Sequence, residues 1–339
     1  MQINWHFPEA QSALLSRGDY KCQIDDFQVI ENLGFEPLGE GEHVFIFIEK
    51  NNLNTESVVR ILAKKLAMKA SMIGYSGLKD KYAITSQWLS FPWPIKSALP
   101  SLTDVPFSVK KIVRHNKKLK KGTHHSNQFN IIVRNIDNAT LLDSNLKRIA
   151  VSGVPNYFGL QRFGHAGGNI EKALVFFRDR HKLSPFKKGL YLSATRAYLF
   201  NHYLARRVAN KNWNQALAGD AFNLEGSNSF FQSSIKDDVS QRLNDMDIHP
   251  VGPLFGVGES KLSLEAREYE EIINEQFQLL VDGLIQHKVQ LAYRPLRLMV
   301  RDLEWHFEEN YVILTFKLVK GAFATSVLKE IVKENPDLC

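Results

Sequence analysis

The chain has 339 residues, 44% hydrophobic and 23% charged, which excludes a disordered or fibrous polypeptide and is long enough for two domains. Its net charge of +7 favours an anionic partner, most simply nucleic acid. Two cysteines, Cys22 and Cys339, with no CxxC or Cys/His zinc spacing, argue against a disulfide or a structural metal.

The opening "MQINWHFPEAQSALLSRGDY" lacks the basic and apolar regions of a secretory signal, and no apolar run approaches a membrane span. A soluble, cytoplasmic protein is therefore expected. "YKCQIDDFQVIENL" and "EHVFIFIEK", rich in Val, Ile and Phe, predict strands. "NTESVVRILAKKLAMKA" places Val58, Leu62 and Leu66 at helical spacing, with Asn54 or Thr55 as cap. "AITSQWLSF", "FSVKKIVRH" and "NQFNIIVRNI" predict further strands, and "ATLLDSNLKRIAVSG" a helix closed by Gly153. From Val154 to Tyr293 the pattern is mostly helical, most clearly in "SATRAYLFNHYLARRVAN" and "SLEAREYEEIINEQFQLLVDGLIQH". Strands return in "RPLRLMVRDLEWHF" and "NYVILTFKLV", followed by a short helix in "GAFATSVLKEIVKE". Strands, then helices, then strands predict an α+β domain interrupted by a mainly helical one.

Several stretches carry residues suited to chemistry. In "SMIGYSGLKDKYAITSQWLSF" the carboxylate of Asp80 lies between Lys79 and Lys81, ahead of a predicted strand. Ammonium neighbours favour an ionised carboxylate, which a nucleophile requires at neutral pH. An ordinary solvated turn would look the same locally. "SNQFNIIVR" puts Asn127 and Phe129 on one strand face, an amide beside a ring, as base recognition requires and as a strand cap beside a core residue would also provide. "RHNKKLKKGTHH", Arg114 to His125, reads either as a solvated hairpin tip or as a phosphate clamp. "VPNYFGLQRFGHAGGN" reads either as a rigid aromatic bend or as an RNA contact, with Arg162 for phosphate and Tyr157 or Phe158 for stacking.

Six blocks together carry a resemblance. "DDFQVIENLGFEPLGEGEH", "SGLKDKYAITSQW", "NQFNIIVR", "VPNYFGLQRFG", "LSATRAYLFN" and "GAFATSVLKEI", in that order, resemble the tRNA pseudouridine synthases of the TruD type, from about Lys21 to Ile331. The resemblance implies an α+β fold: a pseudouridine-synthase catalytic domain with a mixed or antiparallel sheet and flanking helices, at 1–153 and 304–339. A helical domain peculiar to the family would be inserted at 154–303. It implies isomerisation of uridine to pseudouridine in the D-stem region of tRNA, at position 13 of tRNA-Glu type substrates, by a monomer needing neither cofactor, metal nor obligatory protein partner. Asp80 is then the catalytic nucleophile and Lys21 its ion-pair partner. Asn127, Phe27 and Phe323 would hold the target nucleotide. Phe129 stands where other pseudouridine synthases usually carry tyrosine, and without a hydroxyl it contributes stacking. An RNA-binding protein without catalysis, or another uridine-directed RNA-modifying enzyme, would share the basic patch and the aromatics.

Overall fold

The computed structural model describes residues 3–10, 15–164, 167–179, 182–227, 229–232 and 239–333. The chain packs as two compact units. One comprises Leu15–Leu146, Val300–Gly321 and Ile331–Cys339, and the other Met1–Leu14, Lys147–Met299 and Ala322–Glu330.

The first unit is built on a nine-stranded mixed sheet. Seven strands run across it in the order Arg301–Phe307, Tyr311–Val319, Ser126–Arg134, Phe27–Asn32, Ile84–Pro92, His43–Asn51 and Ser108–His115. Neighbours are antiparallel except Phe27–Asn32 beside Ile84–Pro92, which are parallel. Period-two alternation sets the faces: Val312, Leu314, Phe316 and Leu318 are buried, and the residues between them are partly exposed. The helix Thr55–Lys65 covers part of the sheet, its Val58, Val59 and Leu62 meeting Val44, Ile46, Ile48, Leu89 and Phe91. Asn54 caps it, the side-chain oxygen accepting from the Ser57 amide at 2.7 Å. The helix stops at Lys65, short of its predicted extent, because Ala67 turns left-handed at φ +50°.

"YKCQIDDFQVIENL" is not one strand. Lys21 takes φ +65° and Ile24–Asp26 forms a single 3₁₀ turn before the strand starts at Phe27. The absence of disulfides expected from cysteine usage is corrected too: Cys22 is disulfide-bonded, and Cys339 lies outside the described residues.

The second unit carries the helices Gly168–Asp179, Pro185–Ala209, Val239–Asn244, Leu264–Gln276 and Gln278–Gln286. Tyr198, Phe200, Tyr203 and Leu204 of the long helix pack in one core with Phe277, Leu280 and Leu284. The predicted continuous helix from Ser263 to His287 breaks at Phe277, whose backbone leaves the helical region (φ −124°, ψ 32°). The unit also holds a four-stranded antiparallel sheet, Phe230–Gln232, Ala221–Leu224, Ile248–Leu254 and Ala292–Pro295, which helical periodicity did not foresee. Pro250, Gly252 and Pro253 lie within the strand Ile248–Leu254 and erase the usual strand signature.

Candidate active site

The site is built on one face of the larger sheet. Direct pairing sets Glu31 opposite Asn127, Val29 opposite Phe129 and Phe27 opposite Ile131. Phe316 lies opposite Phe129 and Leu318 opposite Asn127 on the other side. Opposed residues project from the same face, so Phe27, Glu31, Asn127 and Phe129 share it.

Asp80 enters from the loop between Gly74–Tyr75 and Ile84–Pro92. Its Oδ2 accepts from Lys21 Nζ at 3.2 Å, and the Asp80 side chain remains 43% exposed. The Lys21 ammonium also stands 4.1 Å from the Phe27 ring centroid, in a cation–π arrangement between carboxylate and ring. The turn presenting Lys21 and Phe27 is held from below. Buried Asp26 shares the Arg134 Nε–H between its two oxygens, accepts Nη2–H at Oδ1 at 2.7 Å, and takes the Gln23 amide at 2.9 Å. This pairing raises the Arg134 guanidinium above its ordinary value.

The segment around Asp80 is pinned beneath the surface. The Lys79 amide donates to Thr55 Oγ1 at 3.0 Å, whose hydroxyl donates to Gln87 Oε1 at 2.8 Å. Lys79 Nζ pairs with Glu31 Oε2 at 2.5 Å, both side chains buried. Glu31 Oε1 also accepts the Trp88 amide at 3.1 Å. Lys50 Nζ, buried, donates to the Asp80 carbonyl at 2.7 Å. Desolvation brings Lys50 down to about 8, against the opposing pull of Asp80 and with a smaller push from Lys79.

Asn127 is buried beside His124, with Nδ2 3.4 Å from His124 Nε2. His124 Nδ1 lies 2.5 Å from Ser76 Oγ, which also accepts the His124 amide at 2.7 Å. Desolvation, aided by Lys79 and Lys320, lowers His124 to about 4, so the ring is neutral at pH 7. Asn127 Oδ1 is buried without a hydrogen-bond partner among the described residues. A buried acceptor left open at the floor of a site is an invitation to a ligand donor.

The aromatic residues divide. Phe27 and Phe129 meet edge-on at 6.1 Å, and Phe129 stacks on Phe316 at 5.3 Å, so one face of Phe129 is already covered. Phe323 belongs to the other unit, where it precedes the short helix Ala324–Leu328 and packs on Phe158 at 6.4 Å. Tyr157 and Phe158 are buried there, which leaves neither ring exposed for stacking on a base. In the basic run, Arg114 gives its guanidinium to the carbonyls of Gly41, Pro94 and Ser97, and Lys118 donates to the Ser71 carbonyl.

The profile of the family described as tRNA pseudouridine synthase D (TruD) matches residues 15–176 and 180–331. The chain belongs to the TruD family. It is 40% identical over 335 residues to a tRNA pseudouridine synthase D of Methylococcus capsulatus, covering 97% of this chain and 95% of that one. It is 39% identical over 335 residues to one from Nitrosococcus oceani, covering 96% and 92%. The fold matches a crystal structure of a Methanosarcina mazei protein provisionally assigned as tRNA pseudouridine synthase D (TM-score 0.74, 24% identity, covering 98% and 97% of the two chains).

Within this TruD-family chain, Lys21 meets both Asp80 and Phe27, and Asn127 and Phe129 share a sheet face with Phe27. Sequence reasoning missed Lys50, Glu31, Thr55, Gln87, Ser76 and His124. None carried a signal of its own: even Lys50 stands between Glu49 and Asn51 at the polar end of the strand "HVFIFIEKN". Among the described residues no helix is long and apolar enough to cross a membrane.

Proposed function

We propose that Asp80 is the catalytic nucleophile of a tRNA pseudouridine synthase acting in the D-stem region, at position 13 of tRNA-Glu type substrates. Family membership supports the coarser part, isomerisation of uridine to pseudouridine in tRNA. One observation carries the residue assignment: the Asp80 carboxylate is open to solvent on one side, yet tied to Lys21 at 3.2 Å. That arrangement suits a carboxylate that must stay anionic and oriented while a nucleotide approaches.

The reaction breaks N1–C1′, turns the uracil and joins C5 to C1′. C5 loses its proton and N1 gains one, so atoms and electrons balance without a redox partner. In the proposed course Asp80 attacks C1′ and is expelled when C5 bonds there. Addition to C6 and removal of the C2′ proton are the other courses open to the same carboxylate. The target uridine must leave its stack, at a cost of a few kcal/mol. Asn127 Oδ1, without a hydrogen-bond partner among the described residues, suits the N3–H of uracil, and cytosine has no donor at N3. Phe27 offers an aromatic wall, with Phe129 behind it. Base–aromatic stacking is worth about 1–3 kcal/mol, enough to offset much of the extrusion.

Mapping pseudouridine by carbodiimide-dependent primer extension tests the position. A new stop at position 13 after incubation supports it, and a stop only elsewhere in the tRNA contradicts it.

A further inference from the structure

We infer that Lys50 is a positioning residue for Asp80, holding its main-chain carbonyl and so fixing where the carboxylate stands. The inference rests on the reading of Asp80 as the catalytic carboxylate.

The geometry is specific. Lys50 is 1% exposed, one of the largest fully buried side chains in the protein. Its strand, His43–Asn51, lies against Ile84–Pro92, with Lys50 opposite Thr85. From there its Nζ reaches across to the Asp80 carbonyl at 2.7 Å, 30 residues away in sequence. That hydrogen bond goes to a peptide oxygen, not to a carboxylate, so Lys50 does not neutralise a buried acid.

A buried ammonium whose hydrogen bond goes to a peptide oxygen, with the Asp80 charge only partly offsetting its desolvation, is an expensive way to fill space. A methionine would fill similar volume without the desolvation cost. What the lysine adds is a charge-assisted donor aimed at one carbonyl. Residue 79 is already fixed twice, through its amide on Thr55 and its ammonium on Glu31. Lys50 fixes the next peptide. Lys21 then takes the carboxylate itself. The Asp80 peptide is thus held from inside the fold, while its side chain faces outward and Lys81 and Tyr82 beyond it are exposed.

Without Lys50 the Asp80 carbonyl loses its buried donor and the peptide is free to rotate, while Lys21 still attracts the carboxylate. A misplacement of about 1 Å in a reacting group costs about 100-fold in rate. The loss belongs in the chemical step, because Lys50 is buried and presents no surface for a tRNA to contact.

The test compares Lys50→Met, Lys50→Arg and Asp80→Asn with the unaltered full chain. Single-turnover rates on tRNA, tRNA Kd and urea unfolding midpoints are measured for each, with rates expressed per folded molecule. Lys50→Met is expected to lose about 100-fold in rate with Kd within about twofold, and Lys50→Arg, which keeps a cationic donor, to recover part of the loss. A Lys50→Met enzyme that turns over at the unaltered rate, or loses only Kd or only folded population, overturns the inference. If Lys50→Met does not fold, Lys50→Gln takes its place: a neutral, shorter donor, expected to slow turnover at unchanged Kd, and a full rate from it overturns the inference equally. Turnover retained by Asp80→Asn would instead sink the reading of Asp80. Asp80→Asn dead beside a fully active Lys50→Met sinks the positioning role alone.

Discussion

Lys21 reaches Asp80 at 3.2 Å from a backbone in the left-handed region, φ +65°. A non-glycine residue there costs about 1–2 kcal/mol. The turn accepts this strain because it brings the ammonium over Phe27 and against the carboxylate at once. Lys21→Gly should therefore relieve backbone strain while removing the ion-pair partner. The expected outcome is stability unchanged or raised, with turnover lowered by about tenfold or more, equivalent to at least about 1.4 kcal/mol in the barrier. Urea denaturation and single-turnover rates on the same preparation check both halves. A loss of stability without loss of turnover would reverse the assignment.

Lys79 and Glu31 form an ion pair with side chains 6% and 0% exposed. Removing one partner strands the other in the interior, at about 3–5 kcal/mol. Lys79→Met should lower the unfolding free energy by that amount. The double variant Glu31→Leu/Lys79→Met should recover a substantial part, although the Trp88 amide then loses its acceptor. A double-mutant cycle in urea measures the coupling, and additive losses would show that the pair is not coupled.

His124 supplies a pH dependence. Its folded-state value is depressed to about 4 from an ordinary 6.5, so between these values the unfolded chain binds more protons. Stability from this residue is fully present above about 6.5 and is lost as pH falls towards 4. The full shift corresponds to about 3 kcal/mol. His202 in the other unit is also lowered to about 4, by burial and then by Arg206, and acts in the same direction. His124→Gln should flatten part of the acid limb between pH 6.5 and 4, read from urea midpoints across that range. An unchanged slope would mean that His124 is not held neutral by the fold.

Asn127 offers a carboxamide whose buried oxygen has no hydrogen-bond partner among the described residues. Asn127→Leu should remove the acceptor while filling similar space, costing about 1–3 kcal/mol in use of the target nucleotide. Bulk tRNA affinity, set largely by phosphate contacts, should change little and fall with added salt. Turnover against tRNA concentration, with filter binding at two salt concentrations, separates these effects. An unaltered rate would remove Asn127 from the site.

Much of the α+β architecture was legible because buried strands and amphipathic helices repeat their patterns locally, as in "YVILTFKLV" and the helix capped by Asn54. The strand Ile248–Leu254 was hidden by its prolines, and the left-handed Lys21 gave no local sign of its turn. The site was less legible for a different reason: its contacts are long-range. Lys21 meets Asp80 across 59 residues, Lys50 across 30 and His124 meets Ser76 across 48. No spacing rule reaches that far. Resemblance named Lys21, but the buried supports of the loop required the three-dimensional arrangement.

The most direct measurement of the central claim uses tRNA carrying tritium at uracil C5, which leaves as water when C5 bonds to the sugar. The account predicts tritium release by the unaltered chain and none by Asp80→Asn at preserved tRNA affinity. Release at comparable rates from Asp80→Asn, or none from the unaltered chain on any tRNA, would contradict it.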